Sequence, residues 1–342
     1  MSGGISQLVA TGAQDVHLVG DPQVSFFRSN YKRHTNFSAV RARQVIQGNV
    51  GTGGGMSTVR FEKKGDLLSY TYLTKRNAAG STVAIGVADI DYVELYIGGQ
   101  VVDTQYSDYS TNQWPKLEAE SYSKRLATTN FYPLHFFFCD NWTNALPLVA
   151  LQYHDVEIRI YWKSGLTATD VYQVWSDFIY LDEAERKYFA ETTQNMLIKQ
   201  VQRAASSLGR VQEFNFNHPV LYIGSSNTGA MTGGTDVATE LQFMINGVQS
   251  GEAMRIDPHF NLVPGYYHAP DCSDGSAFCV PFALNISSGQ PSGSLNFSRL
   301  DSSRLEIVTQ GSGNFAAGST FYAVNWNVLK IENGMGGLMY SN

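Results

Sequence analysis

The sequence predicts an all-β protein made of sandwiches or jelly rolls, and three observations predict it. Segments in which apolar and polar residues alternate recur along the chain. Runs rich in Gly, Asn, Ser and Pro separate them. Only one segment carries a clear helix signal. Alternation at period 2 puts one face of an extended strand in a core. Many such strands with turns between them describe a sandwich or jelly roll rather than βαβ units. At 342 residues the chain is long enough for two domains of this kind.

The elements follow in order. The opening, MSGGISQLVATGAQD, lacks the basic flank and apolar core of a secretory signal, and Ser2 stands where a myristoylated chain needs Gly. No segment approaches the roughly 20 apolar residues that span a bilayer. In DYVELYIGGQVVD (91–103), Val93, Leu95 and Ile97 share a face, and Gly98-Gly99 supplies the positive φ of a tight hairpin. DVEIRIYW (155–162) alternates Val156, Ile158, Ile160 and Trp162 against Glu157, Arg159 and Tyr161. DEAERKYFA (182–190) is the helix: Asp182 can cap it, and Glu185 sits three positions on. The helix ends near residue 191, a strand follows, and the domain boundary falls there. TELQFMINGVQS (239–250) gives a strand and an Asn246-Gly247 hairpin; SRLEIVTQ (303–310) and FYAVNWNVLKI (321–331) each predict a strand with one buried face. The main loops are 48–56, 77–81, 224–235, 287–293 and 310–319. There is an internal echo: FFFCDNWTNALPLVAL precedes the strand DVEIRI, and AFCVPFAL precedes RLEIVT. Both are aromatic-Cys segments with an X-Pro step, as a duplicated unit would have.

Composition narrows the function. Charged residues are 16 %, against roughly 25 % in ordinary soluble proteins. Aromatics are 13 % and glycines number 32, which suits sheet buried against partners. The net charge of −6 argues against wholesale nucleic-acid binding. Yet Arg28, Lys32, Arg33, Arg41 and Arg43, with His34, form a stretch without an acid. It reads as a solvated segment or as a face toward phosphate or an acidic protein. Cys139, Cys272 and Cys279 do not make a disulfide framework.

Catalytic signatures are missing. There is no GxSxG, Walker A loop, HExxH, paired CxxC or dinucleotide fingerprint. His268, Asp271, Cys272, Asp274 and Cys279 match no common zinc spacing. Asp89, Asp91 and Glu94 lack the glycine and terminal Glu of a calcium loop and read as the solvated start of a strand. The sequons at Asn36, Asn141, Asn285 and Asn296 read as chance in an Asn- and Ser-rich chain. Catalytic residues, metal ligands and cofactors are therefore not expected. A carbohydrate-binding jelly roll is one alternative, with Tyr266, Tyr267 and Trp114 as candidate stacking aromatics.

Longer blocks carry a resemblance. LVATGAQDVHLVGDPQVSFFRSNYKRHTNFS, IDYVELYIGGQVVD, PLHFFFCDNWTNALPLVALQYHDVEIRI, IYLDEAERKYFAE, QPSGSLNFSRLDSSRLEI and YAVNWNVLKIENGMGGLMYSN lie in order from residue 8 onward. Together they resemble the major capsid proteins of nucleocytoplasmic large DNA viruses of the algal and giant-virus type. The resemblance implies two tandem jelly rolls, each of eight antiparallel strands, joined by a short helix. It sets an arm at 1–24, a first roll at 25–190 and a second at 191–342. It also implies a homotrimer of six-sided outline that tiles an icosahedral shell with neighbouring capsomers, assembled in the host cytoplasm. Minor capsid proteins and an internal viral membrane are the further partners implied; sequence-specific nucleic acid is not one. A minor capsid or vertex protein on the same fold is the other alternative.

Two sets of residues become candidate contacts. Arg28, Lys32, Arg33, Arg41 and Arg43 are expected to face the particle interior. In QPSGSLNFSR (290–299), Pro291 fixes φ and Gly293 permits an unusual conformation, so the chain enters a strand at one angle. Leu295, Phe297 and Leu300 then point inward. Gln290, Pro291, Ser292, Gly293, Asn296, Ser298 and Arg299 form a corner that either meets a neighbouring chain or is purely internal.

Overall fold

A computed structural model describes residues 3–48, 50–125, 130–225, 239–270, 275–309, 314–316 and 319–341. The chain forms two compact units, Met1–Asn36 and Phe37–Asn342. The first contains helix α1 (Gly3–Val9), which buries none of its residues. Its boundary at residue 36 lies beyond the arm end expected at residue 24.

In the second unit, residues 37–181 supply strands β1 (Phe37–Gln44), β2 (Gly55–Arg60), β3 (Leu67–Arg76), β4 (Ile90–Ile97), β5 (Gln100–Tyr106), β6 (Val156–Trp162) and β7 (Val171–Leu181). One sheet runs β1-β7-β3, the other β2-β6-β4-β5, with two-residue strands extending both. The pairings are antiparallel. Helix α2 (Glu183–Glu191) follows, and Asp182 Oδ1 accepts a bond from Glu185 N at 2.9 Å, as the capping signal predicts. Arg186 ties the helix back to Asp66 at 2.9 and 3.0 Å.

The chain then repeats itself. Strands β8 (Gln194–Ala205), β9 (Val211–Glu213), β10 (Pro219–Ser225), β11 (Glu240–Ile245), β12 (Phe278–Pro281), β13 (Ser303–Ile307), β14 (Thr320–Glu332) and β15 (Met335–Leu338) form two more sheets. Their orders are β8-β14-β10-β12 and β9-β13-β11, and β15 pairs with β14. The order β8-β14-β10 repeats β1-β7-β3, and β9-β13-β11 repeats β2-β6-β4. The internal echo has this structural counterpart: β6 and β13, the strands after the two aromatic-Cys segments, hold equivalent places.

Each sheet pair encloses its own core. Leu68, Leu73, Val93, Leu95, Ile158, Ile160 and Phe178 fill the first. Phe214, Phe243, Phe278, Phe297, Leu305 and Phe321 fill the second. The alternation that predicted β4, β6 and β13 is the pattern of burial along them. Gly98 and Gly99 (φ +58° and +83°) and Asn246 and Gly247 (φ +50° and +77°) make the expected hairpins. A β-carbon on Gly98 would also collide with the His154 ring.

Strand β14 corrects the one-faced expectation. It is buried on both faces from Phe321 to Asn327. Its alternate polar residues meet another polar strand rather than water: Asn327 Nδ2 donates to Gln200 Oε1 at 2.9 Å, and Asn325 Nδ2 does so at 3.3 Å. A third cluster covers the opposite face of the strand, that of Tyr322, Val324 and Trp326. Tyr109, Trp114 and Leu117 from the first half pack on Leu221, Tyr222, Tyr322, Val324 and Trp326. Leu329 and Ile331, at the far end of β14, join the first core.

Candidate assembly surfaces

The predicted basic residues fall in both units. Arg28, Lys32 and Arg33 are exposed in the Met1–Asn36 unit. Phe26 and Phe27, 94 % and 100 % exposed, precede them. Arg41 and Arg43 are exposed on β1, an edge strand. Register sets Arg41 beside Asp177 and Arg43 beside Trp175 on β7. Arg41 grips Asp177 through two bonds of 2.7 and 2.9 Å, so its charge is matched within the chain. Sequence reasoning missed this partner because it lies 136 residues away. Strand β1 is exposed on both faces over its first five residues, which include Phe37 and Val40.

The segment 290–299 bends at Gly293 and then enters a two-residue strand. Gly293 has φ +126°. Phe297 is buried, Leu295 and Leu300 are half-buried, and Asn296, Ser298 and Arg299 are exposed. Residues 295–296 pair with β10, and a short 3-10 turn follows. Several polar atoms work inside the chain. Asn296 Oδ1 accepts from Ser298 N at 3.1 Å, and Ser298 Oγ accepts from His218 N at 2.8 Å. Ser292 Oγ donates to the Asn285 carbonyl at 2.9 Å. The side chains of Gln290 and Arg299 extend outward at exposed positions.

Two further surfaces carry aromatic side chains, and only the second had a sequence signal, in Tyr266 and Tyr267. The outer face of the β2-β6-β4-β5 sheet carries a ladder of tyrosine and arginine. Tyr92 stacks on Tyr161 at 4.2 Å, and Arg159 lies 3.9 Å over Tyr96. In the second half, helix α3 (Leu262–His268) presents Tyr266 and Tyr267, 75 % and 68 % exposed. Trp114, grouped with them as a stacking aromatic, is instead buried and stacked on His135 at 3.7 Å. It is unavailable to a sugar ring.

The metal candidates resolve differently. Asp89 is buried rather than solvated: Lys75 Nζ lies 2.7 Å from it and 3.1 Å from Asp170, and Tyr172 OH donates to Asp89 at 2.8 Å. This cluster fastens β3 to β7 and the start of β4. His268 Nδ1 lies 2.9 Å from the Ala283 carbonyl, and Cys279 is buried. Asp271, Cys272 and Asp274 lie outside the described residues. Burial pushes the Cys139 thiol far up, the reverse of an activated nucleophile. Among the described residues no three His, Cys, Asp or Glu side chains are placed to hold a metal, and no helix is long and apolar enough to cross a membrane.

A family model described as major capsid protein N-terminus matches residues 25–187. A second, described as large eukaryotic DNA virus major capsid protein, matches residues 212–337. The major capsid protein of Paramecium bursaria Chlorella virus 1 is 32 % identical over 439 aligned positions covering the whole of both chains. That of Pyramimonas orientalis virus is 32 % identical over 401 positions, again covering both entirely. Both alignments exceed 342 positions, so the relatives carry residues that this chain lacks. Among solved structures, a quasi-atomic model of the PBCV-1 virus capsid superposes with TM-score 0.75 at 25 % identity, covering 93 % of this chain and 100 % of that one. The Faustovirus major capsid protein shares the fold, with TM-score 0.63 at 11 % identity and 94 % of each chain covered.

Proposed function

The chain belongs to the major capsid proteins of large eukaryotic DNA viruses, and from that premise we propose how it assembles. It is a structural protein of the virion capsid with a double jelly-roll fold. Three chains stand together as a six-sided capsomer, and capsomers tile an icosahedral shell in the host cytoplasm. Each chain contributes two rolls joined through α2, with the boundary near residues 190–191. Its role is to be packed against copies of itself rather than to catalyse a reaction.

One observation carries the reading: a charge-poor chain leaves large apolar side chains uncovered. Val45, Trp142, Tyr266, Tyr267 and Leu284 are each more than 60 % exposed. Scattered exposed apolar residues are ordinary, but this many on a surface with so little charge make a poor soluble monomer. Obligate interfaces have the opposite preference, for apolar and aromatic contact with charge depleted. The relatives' additional residues fit outward loops between strands, because the matching blocks are strands and their turns. The corner at 290–299 serves chiefly to set register, leaving Gln290 and Arg299 to meet a neighbour.

Arg28, Lys32, Arg33 and Arg43 face the particle interior, toward acidic minor capsid proteins or anionic headgroups. Arg41 is set apart because Asp177 already answers its charge. Electron microscopy of the wild type and of a variant with these four residues changed to Glu, expressed in parallel, tests the scheme. The wild type is expected to give six-sided capsomers and larger shells. The variant should keep the capsomers and lose most shells. Normal shells from the variant would remove the basic residues from assembly, and a wild type without six-sided particles would overturn the reading itself.

A further inference from the structure

The seam between the two sheet pairs contains a buried carboxylate, that of Asp103. Strand β5 of the first pair runs along β8 of the second. Val201 N donates to Asp103 Oδ1 at 2.9 Å, and Gln200 Nε2 donates to the Val102 carbonyl. Asp103 is 4 % exposed. Its Oδ2 accepts from Gln105 Nε2 at 3.2 Å, and Gln105 is oriented in turn because its Oε1 accepts from His135 N at 3.0 Å. Among the described residues no cation forms an ion pair with Asp103.

The charged neighbours on the surrounding elements are engaged elsewhere. Glu118, after the helical turn 114–117, takes Lys199 of β8 at 3.4 Å and the Tyr222 hydroxyl at 2.7 Å; Tyr109 OH also donates to it. Arg203, further along β8, lies 4.8 Å over the Tyr106 ring. His135 faces Asp140 at 3.5 Å, and Asp108 takes Asn112 Nδ2 at 2.6 Å. So Lys199 is committed to Glu118, and Asp103 is left with amide donors alone. A buried charge held only by neutral donors is costly, and protonation relieves the cost. A cleft of about 330 Å³, lined by Asp103, Gln100, Gln200, Gln202, Leu338 and Ser341, gives a proton a route to this carboxyl.

We propose that Asp103 is a pH-sensitive latch on this seam: protonated, it lets β5 and β8 close edge to edge, and ionised, it loosens them. Burial, opposed by the Val201 N–H and reinforced by the charge of Glu118, pushes the Asp103 carboxyl up from 3.8 to about 7. The folded chain therefore holds a proton that the unfolded chain releases near pH 4. The latch contributes fully below that pH, weakens as pH rises, and is lost above about 7. This is independent of what the chain assembles into.

The test compares the full-length wild type with Asp103→Asn across pH 5 to 8.5. Two readouts are taken: the thermal midpoint, and amide exchange in segments 100–106 and 194–205 corrected for intrinsic rates. The wild type should lose several degrees on going from pH 5.5 to 8, and its seam should exchange several-fold faster at pH 8. The variant should show neither change. Glu118→Gln, which removes the neighbouring charge, should move the wild-type transition toward acid. Matching pH profiles for wild type and Asp103→Asn would overturn the latch. Should that variant fail to fold, wild-type seam protection that stays flat across the range overturns it equally.

Discussion

Phe321→Ala is expected to cost about 3–5 kcal/mol, the range for emptying a large aromatic site in a packed core. Phe321 is the second residue of β14 and is completely buried. Its ring meets Phe214 at 5.3 Å, Phe315 at 5.7 Å and Phe278 at 6.2 Å, each edge to face. These partners come from separate parts of the second half, so one ring joins both of its sheets. A methyl in its place leaves a void that the strand pairing on either side of β14 cannot close. The thermal midpoint by circular dichroism should fall by roughly 6–20 °C, at about 2–4 °C per kcal/mol. Phe321→Leu, which retains most of the volume, should fall by less than half as much. Equal effects of the two would show that ring volume is not what holds the sheets together.

Glu118→Ala should be comparably severe, for a polar reason. Glu118 is 4 % exposed, and its carboxylate receives Lys199 and the hydroxyls of Tyr109 and Tyr222. Both tyrosines are buried, and burial with the Glu118 charge pushes their hydroxyl pKa values far up, so they remain donors. Removing the acceptor strands two buried hydroxyls and one ammonium at once. Breaking a buried pair by deleting one partner costs about 3–5 kcal/mol, and each stranded hydroxyl about 1–3 kcal/mol before relaxation. Because Glu118 comes from the first half and Tyr222 and Lys199 from the second, the loss should loosen the halves from each other. Limited proteolysis should then cut between residues 181 and 194 in the variant and spare the wild type. An unchanged digestion pattern and midpoint would count against this node as the weld.

Local signals in the sequence were legible and long-range ones were not. The Gly98-Gly99 and Asn246-Gly247 turns and the Asp182 cap are set by residues within a few positions of each other, so adjacency alone reveals them. The alternation in 155–162 is equally local. The positive φ of Gly293 is local in the same way, whereas the 3-10 turn that opens at Phe297 and leaves Leu295 and Leu300 half-buried is not read from alternation. What stayed hidden was polar burial. Asn325 and Asn327 look solvent-facing in FYAVNWNVLKI, but Gln200, more than a hundred residues earlier, supplies their partner. Trp114 lies in a polar stretch that reads as a loop, yet the seam buries it. Asp89 and Arg41 likewise find opposite charges on strands distant in sequence. Period-2 patterning tells which faces alternate, but not whether a second half of the chain will cover the polar one.

The central claim is that the folded subunit is stable only when its uncovered apolar flanks meet those of two copies. Multi-angle light scattering of the purified full-length chain at micromolar concentration tests it most directly. The predicted result is the mass of three chains, persisting on dilution until unfolding begins. A folded, soluble species with the mass of one chain would contradict it.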